Sequence, residues 1–356
     1  MTQLEQLPIP LLLWYRDNAR VLPWRSAPTP YGVWVSEIML QQTRVAAVMD
    51  YYRRFLDAAP DPAALAALPE DRLMKLWQGL GYYSRARNLQ KAARQIMDDF
   101  GGAFPSTYED IHSLAGVGDY TAGAIASIAF GLPVPEVVGN VLRVTARITG
   151  DEGDITSPAM KKKVTAALAE IIPVDAPGAF NQARRELGAT VCLPNGAPQC
   201  QRCPAAFLCR AHREGTTGHI PVKAPKKPRR VEERRVYLLF HENAVALRRR
   251  SARGLLAGLW EYPNAPADEP DFLNELGLAP QGLTLAAVGK HIFTHIEWHL
   301  TALAGELSGE QLPPGWVWAE LSQLREIYAL PNAFQFAAPA VERRLARTES
   351  EGGTAP

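Results

Sequence analysis

The order of hydrophobic and polar residues divides the chain into a helical part and a part rich in strands. Apolar residues recur three and four positions apart through residues 33–55 and 71–99, which is the spacing of an amphipathic helix. Prolines interrupt this spacing and predict joints between helices, at Pro60, Pro62, Pro69 and Pro105. Long alternating patterns are missing before residue 215, so we predict an all-α first domain.

The period changes beyond residue 234. Short β-type runs occupy residues 235–240 and 244–247, and residues 298–303 alternate as a half-buried strand does. A closing helix is predicted for residues 338–347, with Pro339 in its first turn, where the missing N–H costs little. This mixture predicts an α+β second domain.

A basic, proline-rich segment separates the two parts. Residues 220–235 contain seven Lys or Arg and two Glu, which is typical of an extended linker. Two roles stay open for it, a solvated tether or a strap that contacts phosphates. We therefore predict four regions: a helical domain (1–215), a linker (216–233), an α+β domain (234–347) and a disordered tail (348–356).

Composition narrows the class of protein. A length of 356 residues suggests two domains, and 47% hydrophobic with 21% charged residues is usual for a globular protein. The net charge is only +1, so any attraction to nucleic acid must come from local clusters of basic residues. We expect no membrane span and no signal peptide, because the apolar run at residues 9–13 is short and lacks a basic leader. A cytoplasmic location is expected.

All four cysteines lie within one short loop, at Cys192, Cys200, Cys203 and Cys209. Structural zinc sites usually employ two separated pairs, whereas this spacing is compact. Disulfides are disfavoured in a reducing compartment. Four thiolates in one loop favour a cubane iron–sulfur cluster of the 4Fe–4S type, with zinc as the alternative.

A second motif, at residues 114–125, places Gly116 and Gly118 between two helical runs. Glycine permits a tight hairpin and a close approach of the backbone to a partner. Amides at the start of the second helix can then bind a phosphate without any side-chain charge. An ordinary joint between two helices is the alternative interpretation.

A third motif places the carboxylate of Glu37 among apolar neighbours on a predicted helix. Burial would raise its pKa and suit it to general acid catalysis, although the pattern by itself favours a solvent-facing residue on an amphipathic helix. Gln41 and Gln42 follow, and their uncharged amides suit contacts with base edges or with the gap left by an extruded base.

Together these motifs resemble the MutY family of adenine DNA glycosylases, within the helix-hairpin-helix glycosylase superfamily. The resemblance covers nearly the whole chain. In the first part it rests on PWR (23–25), SEIMLQQT (36–43), GLGYYSRARN (79–88), the hairpin (114–125), GNVLRV (139–144), FNQA (180–183) and the cysteine loop (192–209). In the second part it rests on GLLAGLWEYP (254–263) and HIFTH (291–295).

The resemblance implies a fold and a set of site residues. The fold would be an all-α helix-hairpin-helix glycosylase domain with an iron–sulfur loop, followed by an α+β Nudix-like domain that reads lesions. Glu37 would protonate adenine, and Tyr120 would support the reaction. The flipped adenine would contact Trp24, Arg25 and Gln182. Contacts with DNA would come from Gln41, Gln42, Tyr82, Gly116 and Gly118. The loop that inspects 8-oxoguanine would be Phe293, Thr294 and His295.

The resemblance also implies a substrate and an assembly. The substrate would be double-stranded DNA with adenine opposite 8-oxoguanine or guanine. The enzyme would lack lyase activity, since that chemistry needs a lysine amine and the corresponding hairpin position carries Tyr120. We expect a monomer that is associated with the nucleoid in a bacterium.

Two positions depart from the family's pattern. The first cysteine gap holds seven residues where the family usually has six, which a surface loop can absorb. More seriously, the family places a catalytic aspartate directly before Gly139, where it stabilises the oxocarbenium-like sugar, and this chain has Val138. Glu136 is expected to point elsewhere. We therefore expect impaired excision, with a non-catalytic lesion binder as the alternative.

Overall fold

The computed structural model describes residues 3–225, 228–269 and 272–352. In chain order its helices are α1 (Pro8–Asn18), α2 (Pro23–Ser26), α3 (Pro30–Leu40), α4 (Val45–Ala58), α5 (Pro62–Ala67), α6 (Glu70–Trp77), α7 (Ser84–Asp99), α8 (Tyr108–Ser113), α9 (Asp119–Phe130), α10 (Gly139–Thr149), α11 (Pro158–Ala169), α12 (Pro177–Thr190), α13 (Arg210–Arg213), α14 (Phe272–Glu275), α15 (Leu321–Glu326) and α16 (Ala338–Gly352). Short 3-10 helices cover Gln3–Gln6, Cys200–Arg202, Ala206–Leu208 and Asn332–Ala337. The strands are β1 (Arg230–His241), β2 (Ala244–Arg249), β3 (Trp260–Glu261), β4 (Asn264–Pro266), β5 (Gln281–Ile292), β6 (Ile296–Glu306) and β7 (Trp316–Ala319).

The chain forms two compact units that do not follow the chain order strictly. The first unit combines Met1–Ala67 with Arg87–Lys226, and the second combines Leu68–Ala86 with Lys227–Pro356. The segment Leu68–Ala86, which the sequence boundaries assign to the helical domain, thus packs with the C-terminal residues. The unit to which a segment belongs depends on which other residues it packs against. The periodicity of the sequence does not encode those contacts.

The first unit is all-α, as predicted. Helix α3 begins behind Thr29, whose hydroxyl accepts a hydrogen bond from the Gly32 amide at 3.0 Å and so satisfies one of the free donors at the helix start. Helix α9 packs against both α3 and α12, and α12 also packs against α10. Apolar side chains of α10 and α12, including Val141 and Phe180, are fully buried in the core. This packing brings α3, α9 and α12 around one buried site.

The second unit is α+β, as predicted. Its sheet has the order β3-β2-β1-β6-β5, and β4 and β7 pair with β1 and β2 respectively. Strands β1 and β6 are parallel, whereas β5 and β6 form an antiparallel hairpin. Helix α6 joins this unit through Lys75, whose ammonium group donates to the carbonyl oxygens of Leu324 (2.9 Å) and Tyr328 (3.3 Å).

Three predicted boundaries differ from the structure. The periodic stretch at 33–55 is two helices, because the chain turns at residues 41–44. Strand β1 begins at Arg230, inside the predicted linker, since backbone pairing with β6 does not require apolar side chains. Helix α16 continues to Gly352 instead of ending at residue 347, because each further residue adds a helical hydrogen bond once the helix exists. Residues 353–356 of the predicted tail lie outside the described residues.

The linker prediction needs one further correction. Ile220 is 2% exposed and its carbonyl oxygen accepts a hydrogen bond from Arg147 at 2.7 Å, so this part of the segment packs on the first unit. Among the described helices, none is long and apolar enough to cross a membrane.

Candidate active site

Helix α3 places Glu37 inside the first unit. Every residue from Tyr31 to Met39 is buried, and Glu37 is 1% exposed. The solvent-facing position that the periodicity favoured is therefore wrong. A helix buried on all sides must carry its polar groups in contact with partners from other elements.

Two side chains from other helices bind the Glu37 carboxylate. The Tyr120 hydroxyl, at the start of α9, donates to Oε2. Nη1 of Arg185, on α12, donates to both oxygens at 2.8 Å. Burial and the neighbouring Glu37 carboxylate raise the pKa of Tyr120 well above its usual value, so the phenol stays a hydrogen-bond donor at neutral pH.

The structure brings Glu136 into the same group, which corrects the expectation that it points elsewhere. Glu136 is fully buried, and its Oε1 lies 3.2 Å from Nε of Arg185. Burial raises the pKa of Glu136 to about 8, against the lowering effect of Arg185. The loop is held in place by Asn181, whose side-chain oxygen accepts from the Glu136 amide at 3.1 Å. The chain turns here so that position 136, and not 138, presents its side chain to Arg185.

Val138 precedes α10 as its N-cap. It makes no side-chain capping bond, as expected for an aliphatic residue, and its side chain packs partly against the apolar core. A hydrophobic side chain at this position offers the site neither a charge nor a hydrogen bond.

Residues predicted around adenine lie on α2 and α12. Trp24 is buried and meets Tyr52 edge to face, with ring centroids 5.4 Å apart. Nη2 of Arg25 donates to the buried Glu186 at 2.9 Å. Gln182 is half-buried on α12. Glu186 therefore fixes the guanidinium of Arg25 from the helix that also carries Arg185.

The hairpin between α8 and α9 has the geometry that its glycines predict. Gly116 has φ +76°, and a Cβ there would lie 2.7 Å from Cβ of Asn88. Gly118 is the N-cap of α9 and is exposed, so amides at the start of this helix point outward.

Strained backbone coincides with two predicted DNA contacts. Among the described residues, four that are not glycine have positive φ, and two of these are Gln42 (59°) and Tyr82 (47°). Both are exposed. Gln41, by contrast, turns inward, and its amide donates to Thr121 at 3.2 Å. Side chains in this backbone region cost free energy and cluster at functional sites.

The predicted lesion-inspecting residues form the turn of the β5–β6 hairpin. The Phe293 ring packs edge-on against Trp298, at 4.9 Å between centroids. Thr294 and His295 are exposed, and the Thr294 hydroxyl lies 3.2 Å from the hydroxyl of Tyr82 in the same unit. The aromatic core of the hairpin thus supports two exposed polar side chains.

The four cysteines line one recess. The other residues that line it are mainly apolar. The buried Arg147 donates to Sγ of Cys192 at 3.3 Å and to the Leu193 carbonyl at 2.9 Å. Burial raises the pKa of the Cys203 thiol to about 12, so thiolates here need a neighbouring positive charge.

The thiols supply a donor set for a metal centre. Four cysteine thiolates around one recess are the donor set that a 4Fe–4S cubane takes, and zinc can take the same set. Within the described residues no group of three or more His, Cys, Asp or Glu side chains is already arranged to hold a metal ion.

Arg185 and Asn181 were not predicted from the sequence as site residues, and Glu136 was expected to point away from the site. A signal existed in α12, where Arg184 lies on the same helical face as Phe180 and Leu187. A charged residue on an apolar stripe must be buried with a partner. Arg184 stacks on Phe180 and donates to Asn181 on the same helix, so this signal does not lead to Arg185 or Glu136.

Comparisons with known proteins give a consistent result. The family profile described as HhH-GPD superfamily base excision DNA repair protein matches residues 35–173, and a NUDIX domain profile matches residues 235–337. The chain is 36% identical to an adenine DNA glycosylase of Mus musculus, over 91% of this chain and 76% of the relative. It is 34% identical to an adenine DNA glycosylase of Buchnera aphidicola, over 71% of this chain and 73% of the relative.

Solved structures resemble the first unit. A thermostable thymine-DNA glycosylase superimposes with a TM-score of 0.55 at 26% identity, covering 60% of this chain and 97% of that one. Endonuclease III in a non-covalent complex with DNA gives a TM-score of 0.51 at 25% identity, covering 60% of this chain and 98% of that one.

Proposed function

Since the chain belongs to the adenine DNA glycosylase family of the HhH-GPD superfamily, we propose that it excises adenine paired with 8-oxoguanine or guanine. The family membership makes it a DNA glycosylase that hydrolyses N-glycosyl bonds in base excision repair. The observation that carries the finer proposal is the buried carboxylate of Glu37, bound by Tyr120 and Arg185.

Glu37 is the proposed proton donor to adenine. A protonated adenine leaves more readily, because the electron pair of the broken bond then stays on a neutral base. Tyr120 and Arg185 hold the carboxyl group in one orientation, so that little reorganisation is needed during the reaction. Trp24, Arg25 and Gln182 are the proposed surroundings of the flipped adenine, and Arg25 is fixed for this role by Glu186.

The hairpin supports the proposed grip on DNA. Exposed amides at the start of α9 offer a phosphate site beside Gly116 and Gly118. Gln42 and Tyr82 are proposed to fill the space that a flipped nucleotide leaves, and their strained, exposed backbone supports this role. Gln41 would support them from within, through its bond to Thr121.

The hairpin turn of the second unit is the proposed reader of 8-oxoguanine. Thr294 and His295 expose hydrogen-bonding groups, and Phe293 anchors the turn on Trp298. Hydrogen bonds to the edge of a base are the usual means of telling one base from another.

We also propose that Cys192, Cys200, Cys203 and Cys209 hold a 4Fe–4S cluster. When bound, such a cluster ties its four ligands together and so fixes the loop. The recess these residues line and the raised pKa of Cys203 support this assignment, since iron supplies the charge that buried thiolates need.

The test is single-turnover excision on duplexes that carry adenine opposite 8-oxoguanine, guanine or thymine. Adenine should be released from the first two and retained in the third. The strand should break only after alkali, since the proposed enzyme has no lyase activity. Glu37→Gln should slow release by at least about a hundredfold. Strand cleavage without alkali would refute the monofunctional assignment, and no release by any variant would refute the function.

A second candidate function is favoured by Val138 alone. Without a carboxylate at this position the chain would bind the lesion and excise adenine slowly. Val138→Asp should then raise the single-turnover rate by at least about a hundredfold, with little change in affinity. A similar rate in both proteins would refute this candidate.

A further inference from the structure

Glu136 is an unusual residue for a structural role. It is fully buried, yet within the described residues neither carboxylate oxygen accepts a hydrogen bond. A buried carboxylate that serves stability normally has its oxygens hydrogen-bonded, because an unsatisfied one destabilises the folded state. Buried ionisable groups that destabilise the fold in this way are found mainly at functional sites.

Arg185 connects Glu136 to the site already described. Its Nε lies 3.2 Å from Oε1 of Glu136, while Nη1 binds both oxygens of Glu37. Two carboxyl groups therefore share one planar guanidinium, and each faces a different nitrogen of it. Burial acts to lower the pKa of Arg185, but Glu136 and Glu37 together hold it well above its usual value, so the guanidinium keeps its charge.

Hydrolysis of a glycosidic bond needs two carboxyl groups with different tasks. One gives a proton to the leaving group, and the other faces the cationic sugar as a carboxylate. Val138 can do neither, so the site has one carboxyl group too few unless another residue supplies it.

We propose that Glu136 is this second carboxyl group and acts with Glu37 in excision. The inference rests on the proposed function and deepens it. It assigns to position 136 the task that the resemblance places at position 138. If Glu136 has this role, the chain excises adenine despite Val138.

The proposed step balances with water as the second reactant. The bond between C1′ of the deoxyribose and the adenine nitrogen breaks, its electron pair leaves with adenine, and Glu37 supplies a proton to the base. The Glu136 carboxylate stabilises the positive sugar. Water then adds to C1′ and returns a proton to Glu37, which leaves adenine and an abasic site.

The charge of Glu136 should set the pH dependence of the reaction. Burial raises the pKa of Glu136 to about 8, against the lowering effect of Arg185. The ionisable groups that act on Glu136 are Glu37, Tyr120, Arg184, Arg185 and Arg25. Because the proposed role needs Glu136 as a carboxylate, the excision rate should rise with pH up to about 8.

The experiment compares four full-length proteins at saturating enzyme: the unaltered chain, Glu136→Gln, Val138→Asp, and the double variant. Glu136→Gln keeps the size of the side chain and removes its charge. Its single-turnover rate on 8-oxoguanine:adenine should fall by about 10²–10³-fold, with duplex affinity within about threefold. Adding Val138→Asp should restore at least tenfold of that loss and abolish the rise in rate towards pH 8, because that rise depends on Glu136.

A control removes an ion-paired carboxylate elsewhere in the same unit. Asp151 binds Lys163 at 2.5 Å, and Asp151→Asn should leave the rate unchanged. A rate for Glu136→Gln within threefold of the unaltered chain would overturn the inference. So would a loss that Val138→Asp does not restore, because Glu136 would then only position Arg185.

Two outcomes separate the role of Glu136 from the proposed function. An inert chain that Val138→Asp activates would overturn the role of Glu136 and leave the proposed function intact. Absence of adenine release from both proteins would overturn the proposed function itself.

Discussion

At the scale of single residues, burial away from water determines the charge states of the side chains around Glu37. Glu37 and Glu136 are both almost fully buried, and Arg185 has a side chain that is only 16% exposed. In such surroundings each charge depends on its direct neighbours, because solvent no longer screens it. Protonation at this site is therefore coupled to folding.

We predict that Glu136 makes stability fall as the pH rises. Its pKa is about 8 in the folded protein and 4.5 as the ordinary value. Below pH 4.5 both states hold the proton. Between these values only the folded state keeps it, so the unfolded state binds fewer protons and the free energy of unfolding decreases. The contribution is fully lost above about pH 8.

Thermal unfolding from pH 5 to pH 8.5 measures this effect. The unaltered chain should lose more stability over this interval than Glu136→Gln, by on the order of 1 kcal/mol or more. The slopes are compared, because the substitution also changes the pairing of Arg185 by an amount that does not depend on pH. Equal slopes would show that Glu136 is ionised throughout.

At the scale of elements, turns carry much of the proposed function. The turn before α9 requires positive φ at Gly116, and the turn after α9 requires it at Gly131. A Cβ at Gly116 would meet Asn88 at 2.7 Å, whereas nothing lies within 4 Å of a Cβ at Gly131. Only the first turn lies at the helix start that we propose binds DNA.

Gly116→Ala should weaken binding to duplex DNA by roughly tenfold, because the displaced hairpin loses its amide bonds to phosphate. Gly131→Ala imposes similar backbone strain at the other end of the helix and should change affinity by less than about threefold. A fluorescence anisotropy titration with an undamaged duplex measures both. Equal affinities of the two variants would remove the hairpin from the DNA contacts.

The cysteine loop gives a second prediction at this scale. The purified protein should be brown and contain about four irons per chain. Cys203→Ser should lower the iron content and the visible absorbance, since the chain holds only four cysteines and none can replace it. Metal analysis that finds one zinc and no iron would refute the cluster.

At the scale of the whole molecule, the segment Leu68–Ala86 belongs to a different unit from its neighbours in the sequence. It lies within the helical part of the chain but packs in the second unit. Asn332 donates to the Gly79 carbonyl at 3.1 Å, and Tyr82 meets Thr294 at 3.2 Å. Tyr82, proposed to fill the space of the flipped nucleotide, and Thr294, proposed to read the lesion, therefore belong to one compact unit.

We predict that these two residues act together in discrimination. Tyr82→Phe and Thr294→Val should each lower the ratio of excision rates on 8-oxoguanine:adenine and guanine:adenine by roughly two- to tenfold. The double variant should lose no more than either single one, because both remove the same hydrogen bond. Additive losses in single-turnover assays would show that the residues act independently.

The sequence by itself determined the helical and α+β classes of the two parts, the hairpin glycines and the compact cysteine loop. Each depends on local features: apolar spacing decides which face of an element is buried, and glycine permits positive φ at a turn. Motifs of this kind were also sufficient for the family. The catalytic role of Glu37 stays a prediction from its motif, and the exposed position that its apolar spacing suggested is wrong.

Only the tertiary structure decided that Glu136 and Arg185 join Glu37, and that residues 68–86 pack in the second unit. Residues 37 and 185 lie on α3 and α12, and residue 136 lies in the connection between α9 and α10. Periodicity does not encode which of these segments face each other. A charged residue is expected at the surface unless a partner neutralises it, and here the partner is distant in the chain. Packing of α3, α9 and α12 created the site by bringing those charges out of water together.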